Sequence, residues 1–192
     1  YIHKFFNANR GKEFINIEKI ESTSWRDIEI KNRVKLYHFI NNIVNLRSKN
    51  RIITFLRKIQ DKLINLQVKL HVDRYKADIW YGSNWCSITN ECVKYLLDNI
   101  DTIIKDYKYT HASDELFIQN IIAENTKLMN DIYKWEKDSN MRLIDWNRGN
   151  PYVFKSSDFE ELIKSDMLFA RKFDCSVDKQ IIDKIYSFIN NN

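Results

Sequence analysis

The sequence predicts an α/β fold, and three observations carry that expectation. Short runs with strand-like alternation or β-branched and aromatic residues alternate along the chain with segments of helical period. Capping and turn residues fall between these segments rather than inside them. The chain has 192 residues, 44% of them hydrophobic and 14% aromatic, which is enough to bury a core. Three glycines and one proline, with no internal repeat, leave no linker to divide it, so a single domain over 1–192 is expected.

Taken in order, "IHKFFNANRG" reads as a helix ending at Asn9-Arg10-Gly11. The chain enters this helix directly from Tyr1, so a preceding N-terminal part of the fold is expected. "FINIEKI" (14–20) alternates like a half-buried strand, and "RVKLYHFI" (33–40) is β-branched and aromatic enough for a second one. "NRIITFLRKIQDKLINLQVKL" (50–70) places Ile52, Ile53, Leu56, Ile59, Leu63, Leu66 and Val68 at a mostly helical period with a basic opposite face. "ADIWYGSNWCSI" (77–88) is a strand broken by Gly82-Ser83-Asn84, after which Thr89 caps the helix "NECVKYLLDNIDTIIKDY".

Ser113 is placed to cap a further helix to about Asn125, and 128–137 reads as irregular. "MRLIDW" (141–146) is a short strand followed by the turn "NRGNP". Ser157 and Glu160 have capping-box spacing ahead of an amphipathic run. "LFARKFD" (168–174) is an exposed turn or short strand, and "VDKQIIDKIYSFI" closes the chain as a helix.

The formal charge is +5 and the pI about 9.0. The excess is concentrated in Arg47, Lys49, Arg51, Arg57, Lys58, Lys62, Lys69, Arg74 and Lys76. A solvated helix face accounts for such a run; a phosphorylated small molecule, an anionic membrane surface or a nucleic acid are its functional readings. A non-catalytic nucleic-acid-binding or interaction domain is therefore the alternative, although no nucleic-acid motif is present and the aromatics are not interleaved with the basic run. Cys86, Cys92 and Cys175 have neither the number of a disulfide framework nor metal-ligand spacing. No stretch reaches the length of a membrane-spanning helix.

Four segments have chemical potential. In "ASDELF", Asp114 and Glu115 stand at a helix start, where the dipole favours acids and where one of a neighbouring pair could also aim into a cleft. In "WYGSNW", the small residues Gly82, Ser83 and Asn84 allow close backbone approach, and Trp85 is open between core and stacking surface. "DWNRGNPYVF" puts Trp146 and Arg148 in a loop after a strand. "LFARKFD" flanks Arg171 and Lys172 with phenylalanines, presenting a basic pair to solvent or to a diphosphate.

In this order, "GSNWCSITNECVKYLL", "SDELFIQNIIAEN", "RLIDWNRGNPYVF" and "SSDFEELIKSDMLFARKFD" resemble the signatures of the core-2/I-branching glycosyltransferases, the family of β-1,6-N-acetylglucosaminyltransferases and peptide O-xylosyltransferases. The resemblance runs from about residue 77 to 178, and Trp85 is nearest the xylosyltransferase branch. It implies the C-terminal portion of a GT-A-like mixed sheet flanked by helices. It also implies an inverting transfer of GlcNAc or xylose from a UDP-sugar to a glycan or peptide hydroxyl.

Glu115 corresponds to the general base and Lys172 to the donor-diphosphate lysine. The family's arginine falls, without gaps, on Gly149, so its neighbour Arg148 and the adjacent Arg171 are both candidates. Trp146, Trp85, Asp114 and Ser83 are placed on the acceptor or sugar side. No Asp-x-Asp motif occurs, and the family resembled here works without metal, so no metal or other cofactor is expected. A cytoplasmic bacterial enzyme of polysaccharide synthesis, its basic helix near a membrane, fits this picture; a eukaryotic relative would sit in the Golgi lumen.

Overall fold

The computed structural model describes residues 1–42, 50–135 and 138–191. Arg47 and Lys49 of the basic run, and 136–137 of the expected irregular stretch, lie outside them. The elements are α1 (Ile2–Ala8), β1 (Glu18–Lys19), α2 (Trp25–Lys35), α3 (Arg51–Lys69), β2 (Trp80–Tyr81), α4 (Asn90–Asp98), α5 (Ile100–Tyr107), α6 (Phe117–Ala123), α7 (Thr126–Asn130), β3 (Arg142–Ile144), α8 (Phe159–Lys164), β4 (Phe169–Arg171) and α9 (Lys179–Asn191). Among the described residues, helices accompany two two-stranded sheets. The chain packs as two compact units, Gly11–Trp135 and Tyr1–Arg10 with Glu136–Asn192.

In the larger unit, Ser24 starts α2. Its Oγ accepts the Asp27 N–H at 3.2 Å, and Asp27 Oδ2 accepts from the Ser22 N–H and hydroxyl at 3.1 and 2.7 Å. Ile30 and Val34 then fall one turn apart and are buried with Ile20, Tyr75, Ile79, Tyr107 and Leu116. Residues 33–35 thus finish a helix, correcting the strand expected at 33–40. A satisfied cap and a buried i, i+4 pair outweigh β-like composition.

The helix expected at 50–70 is α3, capped by the Asn50 side chain on the Ile52 N–H. Two glutamines seat it. Gln67 Oε1 accepts the Tyr37 N–H at 2.8 Å while its Nε2 donates to Tyr37 O at 3.1 Å, and Gln60 Oε1 accepts the Ile40 N–H at 3.0 Å.

β1 and β2 pair antiparallel with Glu18 opposite Tyr81 and Lys19 opposite Trp80, and Phe14 bridges Ser87. The two expected strands exist in short form on either side of the Gly82–Asn84 break. Thr89 caps α4 through the Cys92 N–H at 3.1 Å. Buried Glu13 accepts the Thr89 N–H and hydroxyl at 2.8 and 2.6 Å, although burial itself pushes its carboxyl up. The single helix expected after Thr89 breaks at Asn99, whose side-chain amide donates to Tyr95 O at 2.8 Å and competes with the backbone ladder. Ile15, Cys92, Ile122, Leu128 and Ile132 form a second apolar cluster.

In the smaller unit, β3 and β4 are parallel, with Ile144 opposite Arg171. Phe154 is fully buried between the rings of Tyr152 and Phe173, at 5.7 and 5.8 Å. The capping-box expectation moves by two residues, from Ser157 and Glu160 to Lys155 and Asp158. Asp158 Oδ2, not Glu160, closes the box by accepting the Lys155 N–H at 2.8 Å, while Glu160 pairs with Lys164 at 3.0 Å. Asp178 joins the start of α9 to Ser156, accepting the Ile181 and Ser156 N–H groups at 3.1 and 2.8 Å.

His38 supplies a pH-dependent feature. Burial holds its imidazole down to about 4, and the neighbouring His111, Arg74 and Arg33 act in the same direction against a bond to Asn32 O. The folded chain therefore keeps His38 neutral where an unfolded chain protonates it, and stability falls as pH drops from 6.5 towards 4. Thermal melts across that window should show the loss in the wild type and a shallower slope in His38→Asn. Identical slopes would remove His38 from the explanation.

Candidate functional site

The two acids of "ASDEL" do not open an α-helix. Ala112 takes a left-handed conformation at φ +48°, Ser113–Glu115 form a 3₁₀ turn, and α6 begins only at Phe117. The N-cap position of the turn is Ala112 and that of α6 is Leu116, which corrects the cap expected at Ser113. The turn is anchored from behind by Leu116, which is fully buried.

The pair divides. Asp114 Oδ2 accepts from the Asn84 side-chain amide. Glu115 Oε2 accepts from Arg33 Nη1 at 2.9 Å and from the Tyr81 hydroxyl at 3.1 Å. Among the described residues, no donor reaches Glu115 Oε1, and the side chain is 34% exposed. Arg33 is only 18% exposed and is also clamped by Glu29, with Nε to Oε1 at 2.9 Å and Nη2 to Oε2 at 3.0 Å.

The electrostatics follow from this packing. Burial alone would lower the Arg33 guanidinium, but its bonds to Glu29 and the charges of Glu29, Tyr81 and Glu115 together raise it. Burial and then the Glu115 charge raise the Tyr81 phenol, so Tyr81 is a donor to the carboxylate. Tyr81 lies under two guanidinium groups, with Arg26 and Arg33 at 5.5 and 5.7 Å from its ring centre.

Backbone and amide bonds hold the "GSN" loop against this turn. Gly82 N–H donates to Glu115 O at 3.1 Å. Asn120, buried in α6, acts as a substitute strand: its Oδ1 accepts the Trp80 N–H at 2.9 Å and its Nδ2 donates to Trp80 O at 2.8 Å. Gln119 Nε2 donates to Ser83 O at 3.1 Å. A Cβ on Gly82 would lie 1.9 Å from Asn16 O, so only glycine fits. Ser83 Oγ accepts the Trp85 N–H at 3.1 Å, and Trp85, open between core and surface in the sequence, is 40% exposed. Ser83, Asp114, Glu115 and Trp85 are thus carried on one loop-and-turn assembly.

Arg148, Arg171, Lys172 and Trp146 belong to the other unit. Arg148 is enclosed by carboxylates. It pairs through Nε with Asp145, through Nη1 with Asp158 at 3.0 Å, and through Nη2 with both oxygens of Glu161 at 2.9 and 2.8 Å. Its guanidinium also stacks on Tyr152 at 4.3 Å. The Asp145 bond is the main cause holding it above its ordinary value; Asp145 is correspondingly held down, first by the Arg148 N–H.

Trp146, beside this knot, is 56% exposed. Lys172 has an exposed side chain, and its backbone is fixed by Tyr152 O and the Phe154 N–H at 3.3 and 2.9 Å. Arg171 ends β4, half-buried.

Sequence reasoning missed Arg33, Tyr81, Gln119 and Asn120. Arg33 was hidden in a supposed strand. The two adjacent amides in "FIQNIIA" were the available signal, since polar groups amid an apolar run need buried partners. Replacing Gly82 with alanine should displace the loop and cost about 1–3 kcal/mol in chemical denaturation. Wild-type stability in that variant would mean that the loop is not held against Asn16.

No family model matches the chain. The chain is similar to Xylosyltransferase 1 of Mus musculus, 26% identical over 133 residues that cover 58% of this chain and 13% of that protein. It is similar at the same identity and coverage of this chain to Xylosyltransferase 1 of Rattus norvegicus and Xylosyltransferase 2 of Bos taurus, spanning 16% and 15% of their lengths. The stretch of similarity is therefore to glycosyltransferases, and the chain spans a small part of each of these relatives.

Proposed function

We propose that this chain carries part of an inverting, metal-independent glycosyltransferase that moves xylose or N-acetylglucosamine from a UDP-sugar to a hydroxyl of a glycan or peptide. The observation that carries the reading is the setting of Glu115. One carboxylate oxygen is fixed by Arg33 and Tyr81, the other has no donor among the described residues, and the group is reachable from solvent. Such a carboxylate is oriented yet able to accept a proton. Similarity to proteins named xylosyltransferases supports sugar transfer as the reaction. A single domain with a GT-A-like sheet belongs to the same proposal.

In this reading Glu115 Oε1 takes the acceptor hydroxyl proton as that oxygen bonds to the sugar C1. The C1–O bond to the diphosphate breaks, and UDP leaves with the electron pair. Lys172 and Arg171 stabilise the charge growing on the diphosphate. Arg148, engaged by three carboxylates, stands behind them by fixing the loop that leads to Tyr152 and the Lys172 backbone. Trp85 and Trp146 offer exposed faces for sugar stacking, and Asp114 and Ser83 shape the loop bearing Trp85.

The test uses the full-length gene product, with UDP-xylose and UDP-GlcNAc, in EDTA. Glu115→Gln should lower kcat by about 10²–10⁴-fold while calorimetric UDP affinity stays unchanged. Lys172→Ala should weaken UDP binding. Wild-type turnover by Glu115→Gln would remove it as the base, and a reversible loss of activity in EDTA would sink the metal-free mechanism. UDP binding without transfer from either donor would favour a sugar-nucleotide-binding protein instead.

A further inference from the structure

Helix α3 is seated by a mixed side, on which half-buried Ile53, Leu56 and Ile64 accompany two glutamines. Gln60 and Gln67, seven residues apart and so on one line, make its bonds to 37–40. A second apolar stripe adjoins that side, half-buried at Ile59 and Leu63 and turned outward at its other positions. Ile52, Phe55, Ile59, Leu63, Leu66 and the capping Leu70 recur at spacings of three and four, and Ile52, Phe55, Leu66 and Leu70 are each more than half exposed.

Directly beside this stripe run Arg51, Lys58, Lys62 and Lys69, at spacings of seven, four and seven. Among the described residues no carboxylate pairs with these four. With Arg57, the helix carries five cations against one anion, Asp61.

We propose that this face of α3 binds an anionic phospholipid surface, lying in the plane of the interface. Phe55, Leu66 and their neighbours would enter the headgroup–acyl boundary, and the lysine line would meet the lipid phosphates. Charge complementarity selects this occupant. A protein groove would be met by apolar contact alone, whereas an unpaired cationic line along the edge of an exposed apolar stripe matches a surface that is negative outside and apolar beneath. The inference is independent of sugar transfer, since none of these residues has a part in it.

The test is co-sedimentation of the full-length gene product with vesicles of phosphatidylcholine alone or with roughly 30% phosphatidylglycerol. Binding should require the anionic lipid and weaken with added salt. The surface-charge variant K58E/K62E should weaken it by about tenfold or more. The variant F55S/L66S, with its fold checked by circular dichroism, should lose binding even at low salt.

Failure of the wild type to bind anionic vesicles overturns the proposal, as does wild-type binding by both variants. Duplex DNA binding that K58E/K62E abolishes and F55S/L66S leaves intact, without vesicle binding, would assign the face to nucleic acid. A drop in melting temperature or in oligomer size on F55S/L66S, with no vesicle binding in the wild type, would assign the stripe to a protein contact.

Discussion

Asn120 gives its side-chain amide to the backbone of Trp80 in both directions, as a neighbouring strand would. A two-residue β2 would otherwise leave one edge with unsatisfied buried groups, each costing about 1–3 kcal/mol. This amide pairing fixes α6 to β2, and much of the larger unit depends on it. It brings Gly82 to the Glu115 carbonyl, sets Tyr81 within reach of the Glu115 carboxylate, and leaves Gln119 to hold Ser83. The tight approach of Gly82 to Asn16 is the steric consequence of that register.

Two arginines organise charge in the same way within their own units. Arg33 is shared between Glu29 and Glu115, and Arg148 among Asp145, Asp158 and Glu161. Each uses a planar fork to fix carboxylates that carry loops. Both spend most of their donors inside the protein, so a net charge of +5 understates how unevenly the cations are available to ligands. Lys172 in one unit and the cationic line on α3 in the other are exposed, with their charge turned outward.

Local signals carried much of the architecture. Thr89 caps as expected, α3 and α9 follow their apolar periods, β3 lies where a short strand was expected, and 168–174, open between turn and strand, carries β4. Where local chemistry misled, a long-range or competing contact decided. Val34 and Ile30 are helical because a capped α2 buries them against Tyr75 and Leu116. The helix expected after Thr89 breaks because Asn99 bonds back to Tyr95. Of the site, the segments bearing Glu115 and Lys172 were legible as motifs, but the partners of Glu115 were not. Arg33 is eighty-two residues away in sequence, and no local pattern reports such a pairing.

The central claim is a single displacement in which Glu115 takes the acceptor proton, and the stereochemistry of the new bond tests it most directly. UDP-xylose and UDP-GlcNAc are α-linked donors. Proton NMR of the first product formed by the full-length gene product should show the large anomeric coupling of a β-linked sugar. An α-linked product would contradict a single displacement with Glu115 as base.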